Sequence, residues 1–248
     1  MFTPTRLSRS AYLGHWQNDL DRIVEVAHHH GHLAVPTCPD WTVYDLVDHL
    51  AGVYQHKVWV LELGKFPPKT WSEEATVERK KRDPLEQLQH WAGELQDQLS
   101  IRADSAPAPT FMKDDLTVGF WWRRMALETV VHRSDVELSV GVPTPLDPAL
   151  CRDGIDELLW FATAPWNDGD RTGWDGQQVV VDAGTHQWSV TLDPTGFKTL
   201  QGDSGAETRV SGEPESLLQW SAGRRLGGVE RSGDAESIRL VEAHLASF

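Results

Sequence analysis

Apolar residues recur three and four apart along the first 140 or so positions and then gather into short runs, so periodicity alone divides the chain. From about Ser8 to His30, Tyr12, Trp16, Leu20, Ile23 and Ala27 form one helical stripe, and Gly31 stops it. Val35-Pro36-Thr37-Cys38-Pro39 is expected to be extended, because residues preceding proline avoid the helical region. A second helix opens with Thr42 as N-cap and Asp45 three residues on, a relative of the capping box. Leu46, Leu50, Val53 and Leu61 carry its apolar face, and Gly64 with Pro67-Pro68 ends it. Asp83-Pro84-Leu85-Glu86 starts a third helix with a cap, a proline at the first helical position and an early acid; Leu88, Trp91, Leu95 and Leu99 follow on one face. A fourth runs from about Thr117 to Ser139, before Gly141, Pro143 and Pro145. Four helices with connections of differing length predict a bundle.

After Pro148 the texture changes. Leu150 to Thr163 reads as one more helix, followed by the polar stretch Trp166-Asn167-Asp168-Gly169-Asp170. Gln178 to Asp182 and Trp188 to Leu192 read as strands about a turn at Gly184, with Thr208 to Ser211 as a third strand. Glu215 to Ala222 and Glu236 to Leu245 are short helical segments. The expected fold class is therefore α+β, with a helical bundle over residues 1–145 and a smaller α+β domain over 146–248. There is no internal repeat, and the one compositionally biased tract, Ala103 to Pro109, reads as a loop.

The 248 residues carry 23 Lys+Arg against 37 Asp+Glu, a net charge of −14. That excess argues against a general surface for nucleic acid or anionic lipid, yet leaves room for a small anion in a local basic pocket. Two cysteines make no disulfide framework, which points to reduced thiols and a cytoplasmic location. No apolar run reaches the roughly 18 residues a spanning helix needs, and Met1 to Ser10 lacks the apolar stretch of a signal peptide.

The fourth helix carries the chemistry. At about 100° per residue, Val118, Trp121, Trp122, Met125, Thr129 and Val136 share a stripe, and Glu128 and His132 fall in the middle of it. A carboxylate facing a bundle core is expensive unless its charge is compensated. One turn apart, the pair either chelates a divalent metal or closes a Glu–His hydrogen bond. On the second helix His49 sits at the border of the apolar face, with His56 two turns further on. His28-His29-His30 with His32 diverge around their helix and read as cations near its carboxy terminus. Cys38 reads as a buried, inert thiol or as a residue near the entrance of a metal site, and Cys151 is assigned no role. No glycine-rich phosphate loop, nucleophile elbow or zinc-finger spacing is present.

Val35-Pro36-Thr37-Cys38-Pro39-Asp40-Trp41-Thr42-Val43, followed by Asp45-Leu46-Val47-Asp48-His49-Leu50-Ala51-Gly52-Val53, resembles the opening motif of the mycothiol-dependent maleylpyruvate isomerase family, within the DinB-like four-helix superfamily. The segment from Arg124 to Glu137, with Glu128 and His132 four apart before Arg133 and an acid, resembles its second motif. The resemblance implies a DinB-like four-helix bundle in which His49, Glu128 and His132 hold zinc with one open position. The same donor set also suits iron or nickel. It implies mycothiol as thiol cosubstrate and an actinobacterial setting. A metal-bound thiolate would add to the conjugated double bond of a small electrophilic, maleylpyruvate-like acid. Elimination after bond rotation gives isomerisation; retention of the adduct gives thiol transfer. His56 is a candidate proton donor or acceptor, or else a surface histidine. Gln219 to Arg225 resembles the family segment near a functional arginine; Arg224 is favoured there for bidentate capture of a substrate or cosubstrate, with Arg225 solvated. Trp121 and Trp122 either line the pocket or belong to the core. Competing readings are a metal-dependent hydrolase using metal-bound water and a non-catalytic metal-containing binding protein. The expected partners are a small electrophile and a low-molecular-weight thiol, with no nucleic acid or membrane, and the expected state is a monomer or homodimer.

Overall fold

The computed structural model describes residues 6–164 and 171–246; the polar stretch at 166–170 lies outside the described residues. The fold is α+β with a helical amino-terminal region. It separates into two compact units, one over Ser8–Thr144 and one beginning at Pro145.

The helical unit contains α1 (Arg9–His30), a small antiparallel pair β1 (Ala34–Val35) and β2 (Cys38–Thr42), α2 (Val43–Leu63), α3 (Lys69–Arg79), α4 (Pro84–Ser100) and α5 (Val118–Val140). Helix α1 lies along α5 and α2 along α4, while α2 also meets α5. Local chemistry sets most of the ends. Ser8 Oγ accepts from the Ala11 amide, and Asp83 Oδ1 accepts from the Glu86 amide behind Pro84. Thr42 and Asp45 close a reciprocal capping box, which holds the Asp45 carboxyl below its usual range through the Thr42 side-chain and backbone bonds. Gly141 ends α5 in the left-handed region at φ 69°, a conformation that glycine adopts without Cβ strain.

One feature of this unit departs from the pattern reading. Helix α3 was not expected: apart from Trp71, Ala75 and Val77 its sequence is polar, and Trp71 and Val77 are exposed, so it has no apolar stripe to announce it. Thr117 precedes α5 but does not cap it. Its hydroxyl donates to Asp115, and the Val118 and Gly119 amides instead donate to the Ala106 and Asp104 carbonyls. The Ala103 to Pro109 loop thereby satisfies amides that a helix start leaves unpaired.

Helix α5 is buried on nearly every side, and so are charged residues off the expected stripe. Glu137 is fully buried, accepting from Arg22 Nε at 2.8 Å and from the Thr144 amide and hydroxyl. Arg133 faces Asp19 at 3.4 Å and donates to the Thr144 carbonyl. A hydrogen-bond chain ties three helices together. Thr129 Oγ1 donates to the Met125 carbonyl, so Tyr54 must donate to Thr129 at 2.6 Å, and Trp16 Nε1 donates to Tyr54 at 2.9 Å. Burial pushes the Tyr54 phenol well above its ordinary range, which keeps it a donor.

In the second unit, α6 (Pro148–Phe161), α7 (Pro214–Ser221) and α8 (Ala235–Leu245) accompany a five-stranded sheet of order β5-β4-β3-β6-β7. The strands are β3 (Gln177–Asp182), β4 (Gln187–Asp193), β5 (Gly196–Gln201), β6 (Arg209–Gly212) and β7 (Val229–Ser232), with β3 and β6 parallel and the other neighbours antiparallel. Val179, Val180 and Val181 are all fully buried, as a central strand covered on both faces requires. The expected strands are present; β5 and β7 join them at the sheet's edges, where mostly polar, exposed residues give no run to read. Asp147 caps α6 and Asp234 caps α8.

Candidate active site

Helices α2 and α5 bring His49, Glu128 and His132 together. One ligand atom from each lies within 4.8 Å of the others, and among the described residues this is the group of three His, Cys, Asp or Glu side chains so arranged. Glu128 Oε1 is 3.5 Å from His49 Nε2 and 3.4 Å from His132 Nε2, and Arg124 pairs with the other carboxylate oxygen one turn away. His132 is nearly buried and His49 is 37% exposed, so the cluster is closed on the α5 side and open beside α2. The polar groups behind it are engaged: the Trp16–Tyr54–Thr129 chain docks α2 on α5 one residue from Glu128.

The electrostatics suit a cation. Burial pushes the Glu128 carboxyl up, but Arg124 and the two imidazoles outweigh this and hold it well below the usual carboxylate range. Burial disfavours a charged His132, yet hydrogen bonds to Asp135 and Glu128 carry its pKa above the ordinary value. Asp135 is fully buried; its Oδ2 lies 3.0 Å from His132 Nδ1, and its Oδ1 accepts from Thr37 Oγ1 at 2.6 Å. A carboxylate behind a histidine fixes its tautomer and raises its basicity, the usual support of a metal ligand. Two imidazole nitrogens and one carboxylate oxygen, with an open side, fit a divalent metal of the zinc type.

A cavity of about 520 Å³ within the helical unit opens next to His49, walled by Trp41, His49, His56, Lys57, Arg79 and Phe111 among others. Arg79 reaches in from α3 and is spent on structure: it donates to Asp48, Gln55 and Thr76. Its guanidinium crosses α2 at Gly52, where a Cβ would sit 2.5 Å from Nη2, which explains a helix-weakening glycine one turn after His49. Lys57 is 6% exposed and donates to His56 Nδ1 at 3.1 Å.

The remaining residues singled out in the sequence have these positions. His56 lines the cavity, but burial and neighbouring Lys57 push its pKa down to about 4. Its Nδ1 accepts from Lys57. Trp121 is fully buried, its indole donating to the Pro109 carbonyl and its ring packed against Phe111 and Phe120, and Trp122 is buried against Trp16. Both rings are core. Arg224 belongs to the second unit, half-buried after α7, with Nη1 donating to the Ala222 carbonyl. Arg225 is not simply solvated: it donates to the Trp220 and Glu242 carbonyls and so ties α7 to α8. Cys38 and Cys151 form no disulfide.

Pattern reading missed Lys57, Arg79 and the part played by Asp135. For Lys57 a signal existed, since it occupies the buried Leu46, Leu50, Tyr54, Leu61 stripe where a lysine is out of place. Arg79 lies on the helix that has no stripe, and the supporting contact of Asp135 with Thr37 spans 98 residues.

No helix is long and apolar enough to cross a membrane among the described residues. No curated protein matches the chain at the level of sequence. Among solved structures, a mutant of the mycothiol-dependent maleylpyruvate isomerase is similar with a TM-score of 0.63 at 14% identity, over 93% of this chain and 96% of that one, a likeness of fold. Two sec-alkyl sulfatase structures, a double mutant of PisA1 and Pisa1 from Pseudomonas sp., are 16% and 14% identical over 93% and 82% of this chain. They are matched over 32% of their own length with TM-scores of 0.30 and 0.29, too low to carry an argument. The family model described as the mycothiol maleylpyruvate isomerase N-terminal domain matches residues 14–137, half of the chain and the whole stretch that holds His49, Glu128 and His132. On that match the chain belongs to the mycothiol maleylpyruvate isomerase family.

Proposed function

We propose that this protein is a zinc- and mycothiol-dependent enzyme acting on a small electrophilic, maleylpyruvate-like acid, by isomerisation or by thiol transfer. The observation that carries the reading is the convergence of His49, Glu128 and His132 beside an open cavity, inside the segment that matches the family. A divalent metal held by these three side chains favours the thiolate over the thiol of a coordinated cosubstrate. The rest is done by the chain. Asp135 keeps the His132 proton on Nδ1, so that Nε2 presents its lone pair, and Arg124 holds the second oxygen of Glu128 away from the donor side. The exposure of His49 leaves an approach from the cavity, whose apolar wall at Phe111 and Trp41 excludes water from one side of a bound acid. Sulfur would add to one end of the conjugated double bond as its π pair moves toward the carbonyl. Rotation and return of that pair, expelling the thiolate, gives the isomer; protonation of the adduct gives the conjugate. Arg224 is assigned to carboxylate capture by its place in the family-like segment after α7, and the protein to the cytoplasm.

Elemental analysis of untagged protein beside His49→Ala, Glu128→Ala and His132→Ala tests the reading. About one zinc per chain in the wild type and loss in each variant is expected. Turnover of a maleylpyruvate-like acid must then require a low-molecular-weight thiol, and Arg224→Ala must keep the metal while weakening that turnover. Metal retained by the variants refutes the ligand set; thiol-independent turnover favours a hydrolase, and bound metal with no turnover favours a binding protein.

A further inference from the structure

We propose that Lys57 is the carboxylate anchor of the cavity beside His49, a specificity-determining residue that receives one carboxylate of the acceptor acid. The inference rests on the acid-substrate reading above and adds a binding group that the helical unit supplies itself. Lys57 sits on the buried stripe of α2 with 6% of its surface exposed, and its side chain lines the cavity. An ammonium in such a position ordinarily has a carboxylate against it, because desolvating a lone charge costs several kcal/mol. Among the described residues no carboxylate oxygen lies within salt-bridge distance of Lys57 Nζ. What surrounds it is the Nδ1 of His56 at 3.1 Å, the face of Phe111 at 4.6 Å and the face of Trp121 at 5.1 Å. Those groups hold the amine in place with no carboxylate in contact; burial pulls its pKa down to about 7 against an upward pull from Glu128, so a bound carboxylate favours its charged form.

The other cations of the cavity are unlike it: Lys80, at the end of α3, is exposed to solvent. Arg79 is equally buried but has Asp48, Gln55 and Thr76 on its three nitrogens. Among the described residues, Lys57 is therefore the buried cation of this cavity with no carboxylate in contact. A carboxylate entering the cavity meets a point charge aimed across an aromatic face, while the conjugated chain of the same molecule extends toward His49. An unsaturated acid supplies a carboxylate there, whereas a neutral molecule leaves the ammonium unpaired. One buried lysine then contributes to selecting an anion in a protein of net charge −14.

The test uses maleate, a small unsaturated dicarboxylate, and its uncharged diamide as probes. Binding to the full chain is measured by titration calorimetry, as purified and after removal of metal by a chelator that is then dialysed away. The metal-free arm reads the lysine without any contribution of a metal ion, so failure here and failure of the metal–thiol reading are seen separately. Maleate is expected to bind metal-free wild type while the diamide does not, and Lys57→Met to weaken maleate roughly 10- to 100-fold, as loss of a hydrogen bond to a charged group does. Lys57→Gln keeps a donor without the charge and is expected to show most of the same loss. Removing an unneutralised buried charge should leave the melting temperature of both variants at or above wild type. Equal maleate affinity in wild type and either folded variant overturns the proposal. So does absence of maleate binding to metal-free wild type, or equal binding of the diamide.

Discussion

Asp135→Asn separates the charge behind His132 from the shape that delivers it. Asp135 is fully buried, 3.0 Å from His132 Nδ1 and bonded to Thr37 at 2.6 Å, so an isosteric amide fits without repacking. Two arrangements of that amide are open. With its oxygen toward His132 the tautomer survives and only the negative charge is lost, which lowers the basicity of Nε2. With its NH2 toward His132, Nδ1 becomes an acceptor, the proton moves to Nε2, and the nitrogen 3.4 Å from Glu128 can no longer donate a lone pair. Loss of such a supporting group costs about 10- to 100-fold in metal affinity, or about 1.4 to 2.7 kcal/mol, with the first arrangement at the lower end. Competition for zinc between the protein and a chromophoric chelator at neutral pH measures it. Thr37→Val, which removes a hydrogen bond to Asp135 but not its charge, should show a smaller loss in the same assay. Wild-type zinc affinity in Asp135→Asn, with an unaltered melting curve, would refute the supporting role.

Two further outcomes follow from buried groups of the helical unit. Tyr54→Phe leaves the Trp16 indole N–H unpaired inside the core and should cost about 1 to 3 kcal/mol in urea denaturation followed by helix signal; stability equal to wild type would break the proposed Trp16–Tyr54–Thr129 chain. Asp19→Asn tests a pH dependence. Burial raises the Asp19 carboxyl to about 7, against a downward pull from Arg133 and a further upward push from Glu137, and its Oδ2 is buried without a hydrogen bond. The folded value is above the unfolded one, so the proton's contribution to stability is complete below about pH 4 and is lost as pH rises through about 7. The variant should therefore gain on wild type by roughly 3 kcal/mol between about pH 5 and about pH 8. A difference between the two proteins that does not change with pH would show that Asp19 is not protonated in the fold.

Much of the architecture was legible along the chain. Wherever a helix pairs a three-and-four stripe with a chemical stop, as α1 does at Ser8 and Gly31, α2 at Thr42 and Gly64, and α4 at Asp83-Pro84, the pattern and the structure agree closely. Most of these signals are local: a hydroxyl or carboxylate caps an amide three residues away, and Gly64 accepts a positive φ, whereas Gly31 keeps a helical φ of −56° and is required by the Tyr44 ring against it. The Glu128 and His132 pairing was legible for the same reason, since residues four apart on a helix share a face. The change of texture at Pro148 and the hydrophobic strands Gln177–Asp182 and Gln187–Asp193 were equally local.

Only the tertiary structure decided the rest. Helix α3 and the edge strands β5 and β7 are polar segments held by neighbours, so their own sequences carry no period. Helix α5 is surrounded, which buries Arg123, Asp135 and Glu137 off its apolar stripe and makes one-face reasoning incomplete. His49 alone was a border histidine; docking of α2 on α5 through Tyr54 and Thr129 brings it to the Glu128 carboxylate, 79 positions away in the chain. The same packing sets Asp135 behind His132, spends Arg79 on Asp48, and leaves Lys57 lining a cavity with no carboxylate in contact with it among the described residues. Residue spacing along one element determines which groups share a face, but the charge a group feels depends on elements far away in sequence, and that is settled only when they pack.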